Sequence, residues 1–251
     1  MDFVGGESTR PMSDTKKLRI KLFADGANLK EMMELYRNPL IAGFTTNPTL
    51  MRKSGIIDYH AFASEVLRAI PDRPVSFEVF ADDLDGMLAQ GRAIAKWGRN
   101  VNVKIPVSNT KGEFTGPVLE TLSKEGIELN VTAIMTLEQV RKVGKALAPE
   151  TPSIVSVFAG RIADTGIDPV PHMIACREEL SSNPKAELLW ASPRELLNVF
   201  HAEQAGCHII TATGDILAKL SLVGKDLVQY SLETVQMFHR DATMSGFHID
   251  V

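Results

Sequence analysis

The stretch Val101-Asn102-Val103-Lys104-Ile105 decides the fold. Val101, Val103 and Ile105 share one face of an extended run, and Asn102 and Lys104 share the other, the two-residue period of a strand with unlike faces. The pattern recurs in the neighbouring runs. Glu128, Asn130 and Thr132 oppose Leu129 and Val131. Ser76 and Glu78 oppose Val75, Phe77 and Val79, while Lys21, Phe23 and Asp25 oppose Ile20, Leu22 and Ala24.

Working outward, eight β-like runs are predicted: Arg19–Asp25, Leu40–Thr45, Val75–Phe80, Val101–Ile105, Glu128–Thr132, Ile154–Phe158, Glu187–Ala191 and His208–Thr211. Helix-like stretches separate them, which argues for parallel strands joined by crossover helices. Eight such units in 251 residues are the proportions of a single (β/α)8 TIM barrel of the α/β class. No Pro/Gly-rich linker interrupts the alternation. The expected layout is a polar extension over residues 1–17 and a catalytic barrel with a C-terminal helix over residues 18–251.

Helix signals support this reading. Leu84, Met87, Leu88 and Gly91 follow helical spacing after the third run. Thr136 with Gln139 reads as a capping box. Ser192-Pro193-Arg194-Glu195 reads as another helix start, with an N-cap serine, proline at the first helical position and glutamate at the third.

In a closed barrel the helices cover the apolar face, so the polar face is expected to point inward. Buried polar groups cost free energy unless they satisfy one another or serve a function. Asp25, Asn47, Glu78, Lys104, Thr132 and Ser156 fall near the C-terminal ends of their strands, where this fold builds its active sites.

The composition is 44% hydrophobic and 23% charged, with a net charge of −4. That balance gives no reason to expect nucleic acid or an anionic membrane as partner. No apolar run approaches the roughly 18 residues of a membrane span. The first residues lack the apolar core of a secretion signal. Cys176 and Cys207 are expected to be buried free thiols of a cytoplasmic protein. Neighbours on a strand point to opposite faces, so Cys207 and His208 make no metal pair. The six histidines show no metal-binding spacing, and no metal site is expected.

Lys104 carries the chemistry. A lysine among apolar walls loses hydration of its charged form, so its pKa is expected to fall. A neutral amine attacks a ketone and forms an iminium, an electron sink that permits cleavage of a nearby C–C bond without metal or coenzyme. Asp25 and Glu78 are the available proton carriers. Taken singly, each carboxylate reads as a structural ion-pair partner. Together with an inward lysine and Thr132, they read as machinery. A phosphate site is suggested separately by the expected helix start at Ser192, by Arg194 and by Arg161 after the sixth run. The bland alternative is that Ser192 caps its helix and the arginines are solvated.

Six blocks, in order, resemble the transaldolase family: Asp25-Gly26-Ala27-Asn28, Thr45-Thr46-Asn47-Pro48, Val103-Lys104-Ile105-Pro106, Asn130-Val131-Thr132, Ser156-Val157-Phe158-Ala159-Gly160-Arg161 and Ala191-Ser192-Pro193-Arg194. The resemblance runs from Phe23 to about His248. It implies a Schiff base on Lys104 and proton transfer at a substrate hydroxyl by Asp25. It implies carbinolamine dehydration by Glu78 through a water shared with Thr132. Thr45, Asn47, Asn130, Ser156 and Phe158 would line the substrate site, and Arg161, Ser192 and Arg194 would hold phosphate.

The related fructose-6-phosphate aldolases carry glutamine and tyrosine where this chain has Glu78 and Phe158, and Glu78 with Phe158 is the transaldolase combination. The implied reaction moves dihydroxyacetone from fructose 6-phosphate or sedoheptulose 7-phosphate to erythrose 4-phosphate or glyceraldehyde 3-phosphate, as in the pentose phosphate pathway. Release of free dihydroxyacetone, a specialised aldolase and a silent sugar-phosphate-binding protein are the alternatives. The implied partners are small sugar phosphates and further copies of the chain, in rings of five, often doubled, or in a dimer. Departures from the family pattern are Gly26, Pro193, the loop Ser108–Phe114 and the strand end Thr211-Ala212-Thr213-Gly214-Asp215.

Overall fold

The computed structural model describes residues 18–249. The expected extension over residues 1–17 lies outside the described residues. Two compact units are present, one of Leu18–Ala218 and another that contains the segment from Lys219 onward.

The first unit alternates β1 (Lys21–Asp25), α1 (Leu29–Tyr36), β2 (Ile41–Thr45), α2 (Pro48–Lys53), α3 (Tyr59–Ala69), β3 (Val75–Glu78), α4 (Leu84–Ala95), β4 (Val101–Pro106), α5 (Gly116–Lys124), β5 (Leu129–Ile134), α6 (Leu137–Ala146), β6 (Ser153–Val157), α7 (Ala159–Ala163), α8 (Pro169–Glu179), β7 (Ala186–Trp190), α9 (Leu197–Gln204), β8 (Ile209–Thr213) and α10 (Gly214–Ala218). All eight strands pair in parallel, and β8 closes on β1, completing a barrel. The α/β barrel expected from the strand alternation is therefore present. In the second unit, Asp226 caps α11 (Leu227–Met244) by accepting from the Gln229 N–H at 2.8 Å, and no residue of that helix is buried.

The strand faces divide as the alternation requires. Phe77, Val103, Ile105, Leu129, Val131 and Val155 have no exposed surface and pack beneath the helices. The opposite face is layered rather than polar throughout. Phe23, Ile154, Leu189 and Ile209 form one buried apolar cluster with Ala191, and Phe158 packs against it. These residues lie two positions before Asp25, Ser156, Ala191 and Thr211 on their strands, so they fill the barrel below the polar layer. At the N-terminal rim Lys21 pairs with Glu187 at 2.7 Å, and Asn102 donates to Glu128 at 3.1 Å.

The capping box at Thr136 and Gln139 is present, with both reciprocal bonds made. The one expected at Ser192 is not: α9 begins only at Leu197. Ser192 has φ +62°, outside the conformation of an N-cap. The Asn198 side chain accepts the N–H groups of Arg194 and Glu195 at 2.7 and 3.2 Å, doing from within the helix what a capping serine does from outside. The helix start expected at Ser192 is thereby corrected. The Ser192 carbonyl instead turns onto Gly160, where a Cβ would stand 1.5 Å from that oxygen. Only glycine permits the approach.

Smaller differences lie at strand ends. Phe158 is outside β6, at the start of α7. The eighth strand starts after His208, whose Nδ1 accepts the Leu188 N–H at 2.8 Å.

Candidate active site

Lys104 projects from β4, in register with Glu78 on β3 and Asn130 on β5. Its side chain is only 9% exposed, and Nζ lies 3.1 Å from Glu78 Oε2. It also donates to the Thr46 carbonyl at 2.9 Å. The expected burial is present, and two acceptors meet the buried amine, Glu78 and the Thr46 carbonyl. These two acceptors lower the cost of burying the charged form.

Asp25, at the end of β1, accepts from Thr45 Oγ1 at 2.8 Å and from Asn47 Nδ2 at 3.2 Å. With the Thr45 proton given to Asp25, the Thr211 hydroxyl donates to Thr45 Oγ1 at 2.6 Å. The other end of the Asn47 amide is held as well. Its Oδ1 accepts the Leu50 N–H and caps α2, which fixes the amide toward Asp25. Asp25 keeps a little solvent contact at the mouth, with protein on its other sides. Burial pushes its carboxyl above the ordinary aspartate range. The opposing pulls come from Lys104 and from the hydrogen bonds of Thr45 and Asn47, and Glu78 adds a push in the same direction as burial.

A second chain of bonds crosses three strands. Ser156 Oγ donates to Asn130 Oδ1 at 2.6 Å, and Asn130 Nδ2 donates to Ser76 Oγ at 3.0 Å. These inward polar groups are thus satisfied by one another, which is how a barrel retains them. Thr132 is an exception, as is Asn102 Oδ1 at the N-terminal rim. The Thr132 hydroxyl is buried without a hydrogen-bond partner. It stands at a β-bulge, where the β5–β6 register shifts between Val131 and Ile134 and Ala133 takes φ +62°. Bulges re-aim side chains at strand ends, and a left-handed alanine costs of order 1–2 kcal/mol.

The two arginines are exposed and already engaged. Arg194 forms a two-pronged ion pair with Asp164, and the Arg161 guanidinium lies 5.5 Å from the Phe158 ring centroid. Arg194 holds the Asp164 carboxyl below its usual range, with a smaller contribution from Arg161. The two side chains therefore share one acidic neighbour.

The loop Ser108–Phe114 is tied down. Ser108 and Phe114 form an antiparallel bridge, and Thr110 bonds Asp82 through its N–H and hydroxyl at 2.8 and 2.5 Å. Among the described residues no group of three or more His, Cys, Asp or Glu is placed to hold a metal, and no helix is long and apolar enough to cross a membrane.

The strand-end residues singled out from sequence thus converge on one mouth of the barrel. Four participants were not singled out. Ser76 and Thr211 had the same signal as the others, an inward position on their strands. Thr46 and Tyr59 act through backbone contacts, which leave no trace in side-chain alternation.

Comparison with known proteins points to one family. The model of the family described as Transaldolase/Fructose-6-phosphate aldolase matches residues 22–249. The chain is 36% identical over 202 residues to a protein of Listeria monocytogenes named "Probable transaldolase 2", covering 80% of this chain and 88% of that one. It is 33% identical over 204 residues to a "Probable transaldolase" of Dehalococcoides mccartyi, covering 80% and 90%. Among solved structures, the carboxyl transferase domain of Rhizobium etli pyruvate carboxylase aligns with TM-score 0.57 at 11% identity, over 79% of this chain and 40% of that one. That likeness concerns the barrel alone.

Proposed function

We propose that this chain, which belongs to the transaldolase/fructose-6-phosphate aldolase family, transfers a dihydroxyacetone unit between sugar phosphates through a Schiff base on Lys104. The observation that carries the reading is the Lys104–Glu78 contact at 3.1 Å, inside the polar mouth that also holds Asp25.

In this reading the Lys104 ammonium passes a proton to Glu78, and the neutral amine adds to the ketone carbon of the donor. Glu78 then returns a proton as the carbinolamine loses water, through a water that the unpartnered Thr132 hydroxyl helps to hold. Asp25 takes the proton of the hydroxyl on the carbon that departs as aldehyde, and the C–C bond breaks toward the iminium. An Asp25 carboxyl raised by burial suits this work, since the raised carboxylate is a stronger base toward the substrate hydroxyl than an ordinary aspartate. Asn47, Asn130 and Ser156 orient the donor hydroxyls. Arg161 and Arg194, with Ser192, take the phosphate, which displaces Asp164 from Arg194. No metal or coenzyme enters the scheme. The protein is read as a cytoplasmic enzyme of the pentose phosphate pathway that assembles with further copies of itself, in a ring of five, its double, or a dimer.

The choice of transfer over release rests on Phe158. A tyrosine there would supply a hydroxyl able to hold a water for attack on the iminium, and phenylalanine cannot. With fructose 6-phosphate and an aldose phosphate acceptor, wild type should transfer rapidly and release free dihydroxyacetone slowly. Phe158→Tyr should shift the ratio toward release. Release as fast as transfer in the wild type would assign the chain to the aldolase branch instead.

A further inference from the structure

The β2–β3 ladder stops one step short of the candidate site. Phe44 N–H donates to the Pro74 carbonyl at 2.8 Å, and Thr46 N–H donates to the Ser76 carbonyl at 3.2 Å. The next step of a parallel ladder would bring the N–H of residue 48 to the Glu78 carbonyl. Residue 48 is Pro48, which has no N–H. By the same register the Glu78 N–H would donate to the Thr46 carbonyl, and that oxygen accepts the Lys104 ammonium at 2.9 Å.

Both orphaned groups of Glu78 are met by one side chain. Tyr59, the first residue of α3, accepts the Glu78 N–H at 2.7 Å and donates its hydroxyl proton to the Glu78 carbonyl at 3.1 Å. A phenol can do both at once. Its ring is locked edge-on against Phe77 and Trp97, at centroid distances of 6.1 and 5.2 Å, and tilted on Phe80 at 4.7 Å. Burial, the largest influence, keeps its hydroxyl protonated far above the ordinary range, so the donor is present at any working pH.

We infer that Tyr59 is a positioning residue for the reaction: its hydroxyl substitutes for the missing strand partner at Glu78, so that Glu78 is held level with Lys104 while the Thr46 carbonyl is left to the lysine. Tyr59 touches neither substrate nor reacting atoms and acts through the backbone of Glu78. This rests on the Schiff-base reading given above.

The test is Tyr59→Phe, alone and combined with Glu78→Gln. The phenyl ring keeps the packing against Phe77, Phe80 and Trp97. Tyr59→Phe should lower kcat about tenfold, the scale of one to two lost hydrogen bonds, with KM for the donor changed by less than about twofold. In the Glu78→Gln background the same substitution should change kcat by less than about twofold, because the group through which it acts is gone. Equal losses in both backgrounds, an effect confined to KM, or no loss would overturn the inference while leaving Lys104 trapping intact. Failure of wild type to form any adduct at Lys104 would overturn the Schiff-base reading and this inference with it.

Discussion

Glu78 and Lys104 are register partners on adjacent parallel strands, and their charged ends meet at 3.1 Å near the mouth of the barrel. Their side chains are 16% and 9% exposed, so each is the other's main compensation for lost water. Removing one partner of such a pair leaves a buried charge unmatched, at a cost of about 3–5 kcal/mol. Lys104→Met should therefore lower the free energy of unfolding by about 3 kcal/mol at neutral pH, besides abolishing turnover. Adding Glu78→Gln should recover part of that loss. Denaturant titration of the two variants and wild type checks this, and a double variant less stable than Lys104→Met contradicts it.

Asp25 should behave in the opposite sense. Burial places its carboxyl above the ordinary aspartate value in the folded protein. Between those two values the folded state keeps a proton that the unfolded chain has lost, so stability falls as pH rises through the window and stays lower at neutral pH. Asp25→Asn removes the penalty. The amide oxygen can still accept from Asn47, and the amide nitrogen can donate to Thr45 Oγ1, which then donates to Thr211. Thermal melts should show Asp25→Asn more stable than wild type at neutral pH and inactive. The difference should close as the pH falls to the ordinary aspartate value. A variant less stable than wild type at neutral pH would contradict this.

The arginines should act on phosphate and not on chemistry. Arg161→Ala or Arg194→Ala should raise KM for phosphorylated substrates about tenfold to a hundredfold, the worth of one charge-assisted bond of about 1.5–3 kcal/mol. The KM for unphosphorylated analogues should stay unchanged. Because Asp164 occupies Arg194 through two bonds, Asp164→Asn should lower the KM for phosphorylated substrates. Steady-state kinetics on matched pairs of sugars decides, and parallel changes for both kinds of sugar would remove the arginines from the phosphate site.

Much of this architecture was legible in the chain itself. Period-2 alternation exposed the barrel and brought out Lys104, Glu78, Asn130 and Asp25, because in a closed barrel strand parity and position along the strand fix where a side chain points. It failed where backbone conformation decides. Ser192-Pro193-Arg194-Glu195 has every residue of a helix start, yet the close approach of the Ser192 carbonyl to Gly160 and the grip of Asn198 on Arg194 and Glu195 delay α9 to Leu197. It also missed the apolar floor of Phe23, Ile154, Leu189 and Ile209. Alternation sorts residues by face but not by depth. Tyr59 gave no signal, since its partner is the backbone of a residue 19 positions away.

The covalent role of Lys104 is the centre of the mechanism, and borohydride reduction in the presence of fructose 6-phosphate tests it most directly. The intact protein should gain the mass of one reduced dihydroxyacetone unit, peptide mapping should place it on Lys104, and Lys104→Met should gain nothing under the same conditions. Modification mapped to a different lysine, or a wild-type protein that traps no donor at all, would contradict it.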